Sequence, residues 1–123
     1  MVTPKAEASG NGAASARERM LELLRRHIRD PLVIAAMAAV PRERFVPAHL
    51  NHRAYDDCAL PIGEGQTISQ PLMVALMIEA LQPLPGDRAL EVGAGSGYAA
   101  AVVSRLVREV IAVELVPELC ERA

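Results

Sequence analysis

Residues 90–98 read Leu-Glu-Val-Gly-Ala-Gly-Ser-Gly-Tyr: a short apolar run, an acid inside it, three alternating glycines, and then an Ala/Val-rich stretch. That order is a strand, a tight turn and a helix start. Gly93, Gly95 and Gly97 carry no Cβ and can take positive φ, so the turn leaves room for a ligand and lets backbone amides at the helix start approach a bound group. A second apolar run, Val110-Ile111-Ala112-Val113, follows the helical stretch. Two short apolar runs joined by a helix make a βαβ unit with parallel strands, and a glycine turn at its first strand end predicts a nucleotide-type cofactor pocket.

Spacing and charge narrow the cofactor. A dinucleotide fingerprint needs glycine at the first, third and sixth positions, and counting from Gly93 places Tyr98 at the sixth. Glu91, just before the turn, would repel a pyrophosphate and favours a ligand carrying an ammonium or sulfonium group. S-adenosyl-L-methionine carries both. Glu114 closes the second apolar run about 20 residues after the turn, where an acid accepts hydrogen bonds from ribose hydroxyls. The expected cofactor-binding set is therefore Glu91, Gly93, Gly95, Gly97 and Glu114.

Upstream, residues 1–14 are rich in Ala, Gly, Ser and Asn without apolar periodicity, which reads as a disordered tail. Ser15 with Glu18 fits a capping box, and Met20, Leu23, Leu24 and Ile28 recur at helical spacing behind it. Asp30-Pro31 is a second helix start, and Pro41 ends that helix. The bend from Pro41 to Pro47 carries Phe45, the sole phenylalanine, expected in the core. Residues 59–62 and 66–69 read as a short hairpin around Gly63-Glu64-Gly65, with Pro61 confining its strand to an edge. Residues 71–81 read as a helix capped by Ser69 or Gln70. Strands at 88–92 and 110–114, a helix at 98–106 and a helix opening at Pro117 complete the pattern. The domain reading is a tail (1–14), a helical and hairpin cap (15–82) and the start of a Rossmann-like core (83–123). With only two core strands, the second apolar on both faces, the sequence reads as cut short.

The 123 residues carry 51% hydrophobic side chains and a net charge of −2, as expected of one soluble globular domain in the cytoplasm. Lys and Arg are scattered, so no nucleic-acid partner is expected. The apolar run at 32–40 is too short to span a bilayer, so no membrane partner is expected either, and the first residues lack a signal-peptide layout. Cys58 and Cys120 form no CxxC motif and read as reduced packing residues. His49, His52, Asp56, Asp57 and Cys58 read as a solvated loop, because no second compact ligand pair accompanies them and no metal is expected.

Three segments together carry a family resemblance: Val40-Pro41-Arg42-Glu43-Arg44-Phe45-Val46-Pro47, then Gly65-Gln66-Thr67-Ile68-Ser69-Gln70-Pro71, then residues 90–98. In this order they resemble the protein-L-isoaspartate O-methyltransferases. The glycine turn alone indicates a class I S-adenosylmethionine-dependent methyltransferase, and the Gly-Gln-Thr-Ile-Ser-Gln-Pro segment is the specific part. The resemblance implies an α/β, Rossmann-like fold with an N-terminal cap and a monomeric complete form. It implies methyl transfer from S-adenosylmethionine to the free carboxylate of L-isoaspartyl residues in damaged proteins, as a repair reaction. It places Ser69 at the family's active-site serine, with Thr67 and Ile68 beside it at the substrate. Two other readings stand beside this one: a class I methyltransferase acting on another substrate, and a non-catalytic remnant that binds cofactor or a partner.

Overall fold

The computed structural model describes residues 8–123. Helix α1 spans Ala8–His27, so the stretch 8–14, expected as part of a tail, is helical; residues 1–7 lie outside the described residues. The helix tolerates Gly10 and Gly12 at about 1 kcal/mol each, and Ala13, Ala14 and Ala16 are strong helix formers. Ser15 thus stands inside the helix, where its hydroxyl accepts from Arg19 Nη1 at 2.9 Å instead of forming a capping box. Met20, Leu21, Leu24 and Ile28 are buried, so the buried stripe includes Leu21 while Leu23 sits at its margin. Arg25 and Arg26 occupy the last turn, where their positive charge complements the negative end of the helix dipole.

Helix α2 (Pro31–Ala39) starts as its sequence dictates: Asp30 accepts from Leu32 N at 2.9 Å and Pro31 occupies the first turn. The Glu79 carboxylate, from a later helix, accepts from Arg29 N and Asp30 N at 2.6 and 2.8 Å, closing the corner between α1 and α2. Two 3-10 turns follow, Arg42–Phe45 inside the expected bend and Ala48–Arg53 where a solvated loop is expected. Glu43 and Tyr55 are hydrogen-bonded across this region. Phe45 is half-buried rather than fully in the core, and meets the Tyr98 ring edge-on at 5.6 Å.

Strands β1 (Leu60–Gly63) and β2 (Gln66–Ile68) pair antiparallel, with Leu60 opposite Ile68 and Pro61 opposite Thr67. Glu64 and Gly65 both have positive φ (54° and 68°), the backbone that matches a tight hairpin to strand twist. Leu60, Ile62 and Ile68 point into the core. Helix α3 (Pro71–Leu81) then returns across α1 and α2 and ends at Gln82 in the left-handed conformation.

The second layer is β3 (Arg88–Val92), α4 (Tyr98–Val103), β4 (Glu109–Val113) and α5 (Pro117–Arg122). The strands are parallel in the register Arg88 to Glu109 through Val92 to Val113, and an Arg88–Glu109 ion pair closes their first rung. Helix α4 stops before Leu106, tightening into turns in which Arg105 N donates to Val102 O and Leu106 N to Val103 O, and the Ser104 hydroxyl donates to Ala101 O at 2.6 Å. Tyr98, Val102 and Leu119 carry this layer into the core made by the cap. Leu90, Val92, Ile111 and Val113 are exposed although apolar, as is Leu115. Cys58 is half-buried against the core, but Cys120 is exposed on α5 and does no packing. No described helix is long and apolar enough to cross a membrane.

Candidate active site

The glycine turn takes the conformation its composition demands: φ is +84° at Gly93, +56° at Gly95 and +85° at Gly97. The amides behave differently from expectation. Gly93 N and Ala94 N both donate to Val113 O at 2.8 and 3.0 Å, Gly95 N donates to Glu114 Oε2 at 2.6 Å, and Gly97 N donates to Ala94 O at 2.9 Å. These donors are spent on tying the turn to the end of β4. What the glycines supply is room. A Cβ on Gly93 would meet nothing within 4 Å, so the turn's outer face is open, while a Cβ on Gly95 would meet Ile62 Cδ1 at 3.6 Å. The hairpin thus lies directly over the turn at Gly95, where the positive φ rather than the space favours glycine.

Glu114 is the brace of this arrangement. Its two carboxylate oxygens accept from Val116 N at 3.0 Å and Gly95 N at 2.6 Å, and those donated hydrogen bonds, Val116 first, hold its pKa below the ordinary carboxylate value. Each oxygen has a further lone pair for a hydroxyl donor. Glu91 has the opposite character. Burial raises its pKa, and its Oε2 is buried with no hydrogen-bond partner among the described residues. An unpartnered buried carboxylate oxygen is costly in the free protein and is matched by a cationic or N–H-bearing ligand.

Docking of the hairpin on the turn brings the two predicted sets together. Thr67, Ile68 and Ser69 line a cleft of about 90 Å³ with Glu91, Gly93, Gly95 and Tyr98. A groove of about 420 Å³ between α3 and β3 shares Ser69, Glu91 and Gly93 and is walled by Val74, Met77 and Leu90. Gly97 and Glu114 line neither; Gly97 backs onto Ala123, and Glu114 acts from behind the turn. The groove falls within the ~300–1,000 Å³ typical of small-ligand sites.

Ser69 is not the cap of α3. Gln70 holds the N-cap position without a side-chain cap bond, and Leu72 N donates instead to Asp57 Oδ1 at 3.0 Å, from fifteen residues upstream. The serine hydroxyl is thereby left to the cleft. Its backbone is held from the other side: Arg42, wholly buried, donates through Nη2 to Ser69 O and through Nε to Ala54 O, both at 2.7 Å. The Arg42 Cζ lies 4.7 Å from the centroid of the Tyr98 ring. Burial lowers the Arg42 pKa, opposed first by Tyr98. Arg42, Asp57 and Tyr98 are the site-building residues that sequence reasoning missed. Arg42 stands beside Arg44 in a charged segment, and nothing in the charge pattern separates the buried arginine from the exposed one.

A parallel strand pair joined through a glycine turn and a helix, with one acid on the first strand, another just past the second, and a hairpin cap seated on the turn, defines a class I, Rossmann-like methyltransferase fold. The family model of protein-L-isoaspartate(D-aspartate) O-methyltransferase matches residues 15–123, and the chain belongs to that family. It is 63% identical over 111 residues to a protein-L-isoaspartate O-methyltransferase of Roseiflexus sp. (strain RS-1), covering 89% of this chain and 51% of the relative. A solved protein-L-isoaspartate O-methyltransferase superposes with a TM-score of 0.75 at 34% identity, over 87% of this chain and 36% of that one. A second solved structure, a Plasmodium falciparum protein described as a putative member and crystallised with S-adenosyl-L-homocysteine, gives 0.74 at 31% identity, over 86% and 52%. The chain spans about half the length of the curated relatives it matches.

Proposed function

We propose that this chain carries the cofactor turn and the active-site serine of a protein-L-isoaspartate O-methyltransferase, which methylates the free carboxylate of L-isoaspartyl residues in damaged proteins. The observation that carries the reading is the single cleft that joins Ser69, Thr67 and Ile68 to Glu91, Gly93 and Gly95. In this reading residues 15–82 are the cap and 83–123 begin the cofactor-binding core, and the whole enzyme works as a cytoplasmic monomer without nucleic acid or membrane.

The residues present fit S-adenosylmethionine, since the orphaned Oε2 of Glu91 suits a cation and the free lone pairs of Glu114 suit hydroxyls. When bound, that cofactor supplies an electrophilic methyl group on a sulfonium. Gly93 keeps the approach to the turn clear, and Gly97 supports the helix start behind it. The substrate carboxylate, with a reference pKa near ~4, is ionised at neutral pH and needs no general base. Catalysis then rests on placement. The Ser69 hydroxyl donates to one carboxylate oxygen and fixes its direction, while Thr67 and Ile68 flank the peptide and Val74 limits water.

The test is methyl transfer to an isoaspartyl peptide against its normal aspartyl twin. Turnover on the first alone is expected. Ser69→Ala should lower turnover by roughly ten- to a hundredfold, the loss of a hydrogen bond to a charged group, and leave cofactor affinity intact. Equal methylation of both peptides, or an unaffected Ser69→Ala variant, would refute the reading.

A further inference from the structure

Ser69 sits in an irregular segment between β2 and α3 with its side chain exposed and no cap bond to fix it. A donor that must hold a substrate oxygen in line gains its precision from whatever holds its backbone. Here that holder is one guanidinium. Arg42 is buried without a carboxylate in hydrogen-bond contact; its partners are two carbonyl oxygens, of Ala54 and Ser69, and the face of the Tyr98 ring. Its Nη1 is buried and unpartnered among the described residues. An apolar side chain would avoid the desolvation of a cation here but would leave the Ala54 and Ser69 carbonyls without these donors.

The three contacts have a geometric meaning. Ala54 belongs to the end of the second 3-10 turn, Ser69 to the substrate loop, and Tyr98 to the first position of α4, directly after the glycine turn. The planar fork of Arg42 therefore spans the substrate side and the cofactor side of the cleft. Tyr98 is itself fixed, edge-on to Phe45 and with its hydroxyl 3.7 Å from Met37 Sδ.

We propose that Arg42 is a positioning residue: its buried guanidinium, seated between Ala54 O and the Tyr98 ring, holds the Ser69 carbonyl and so sets the serine hydroxyl relative to the glycine turn. The consequence for catalysis rests on the proposed methyltransferase reading; the consequence for the loop does not. Lysine keeps the charge but lacks the fork needed to reach two carbonyls and stack at once.

Two measurements on the chain test this with Arg42→Lys. Amide hydrogen exchange over residues 66–70 should quicken by about tenfold while the amides of α2 and the middle of α3 keep their rates. Turnover on isoaspartyl peptide should also fall about tenfold in the wild-type background. In the Ser69→Ala background the same substitution should cause no further loss, because a residue acting through the hydroxyl has nothing left to position. Unchanged exchange at 66–70, a rise spread uniformly over the helices, or an equal loss of turnover in both backgrounds would each overturn the proposal. Where this chain by itself does not turn over isoaspartyl peptide, exchange alone decides Arg42. Should Arg42→Lys not fold, Arg42→Gln is read the same way, and failure of both to fold makes Arg42 a plain core residue and overturns it.

Discussion

Asp57→Ala tests the division of labour at the start of α3. Asp57 Oδ1 accepts from Leu72 N at 3.0 Å and Oδ2 from the exposed Gln70 side chain at 3.3 Å. Removing a capping acceptor costs about 0.5–2 kcal/mol, typically about 1. The Gln70 contact is long and solvated and adds little. With an unfolding entropy of about 2.1 cal/mol/K per residue, a domain of about 110 residues loses roughly 4 °C in Tm for 1 kcal/mol. Ser69→Ala removes a hydroxyl that caps nothing, so it should stay within about 0.5 kcal/mol, or roughly 2 °C. The assay is thermal unfolding of the three proteins followed by far-UV circular dichroism at one protein concentration. A silent Asp57→Ala beside a Ser69→Ala that melts about 4 °C lower would show that the serine is the cap after all, and would remove the ground for giving its hydroxyl to the cleft.

Glu91→Gln tests the orphaned carboxylate. Because burial raises its folded pKa, the charged form destabilises the fold above that pKa and does so nowhere below the ordinary carboxylate value. Wild-type stability should therefore fall as pH rises through that window, and the variant should show no such fall and a higher Tm at neutral pH. Glu114→Gln has the opposite sign: its lowered pKa contributes stability above the ordinary carboxylate value that is lost as pH falls through the folded pKa, so the variant should flatten the acid limb of a Tm-against-pH curve. The same variant should bind S-adenosylmethionine about tenfold more weakly by calorimetry. Gly93→Ala meets only the backbone penalty of positive φ, roughly 1–2 kcal/mol, whereas Gly95→Val adds branches against Ile62 and should cost more in urea unfolding; equal losses would mean that the hairpin does not rest on Gly95.

Local signals were legible. Asp30-Pro31 fixed the start of α2, Pro71 that of α3, and the glycines marked the turn between β3 and α4 at the observed residues, because each works through its own backbone. The association of the glycine turn with Thr67, Ile68 and Ser69 came from resemblance, and no periodicity in the chain encodes it. What escaped the sequence is long-range. Asp57 reaches across fifteen residues to Leu72 N, Glu79 across about fifty to Arg29 N, and Val113 O takes the amides of Gly93 and Ala94 that a local reading leaves for a ligand. Cys120 looked apolar enough to pack, but Leu119 takes the inward position on α5 and turns it outward.

The distribution of the core also bears on the order in which the chain acquires structure during synthesis. The buried core side chains except Ala94, Tyr98, Val102 and Leu119 precede residue 82, so they have left the ribosome before β3 does. The cap can collapse early around contacts among α1, α2 and α3. Pairing of β3 with β4 comes later, since a parallel partner waits for the whole crossover through α4. In that interval Leu90 and Val92 have neither a strand beside them nor a layer above, and such nascent apolar segments are what chaperones engage. Vectorial growth therefore presents a preformed docking platform, Ile62 included, to a glycine turn that emerges after it.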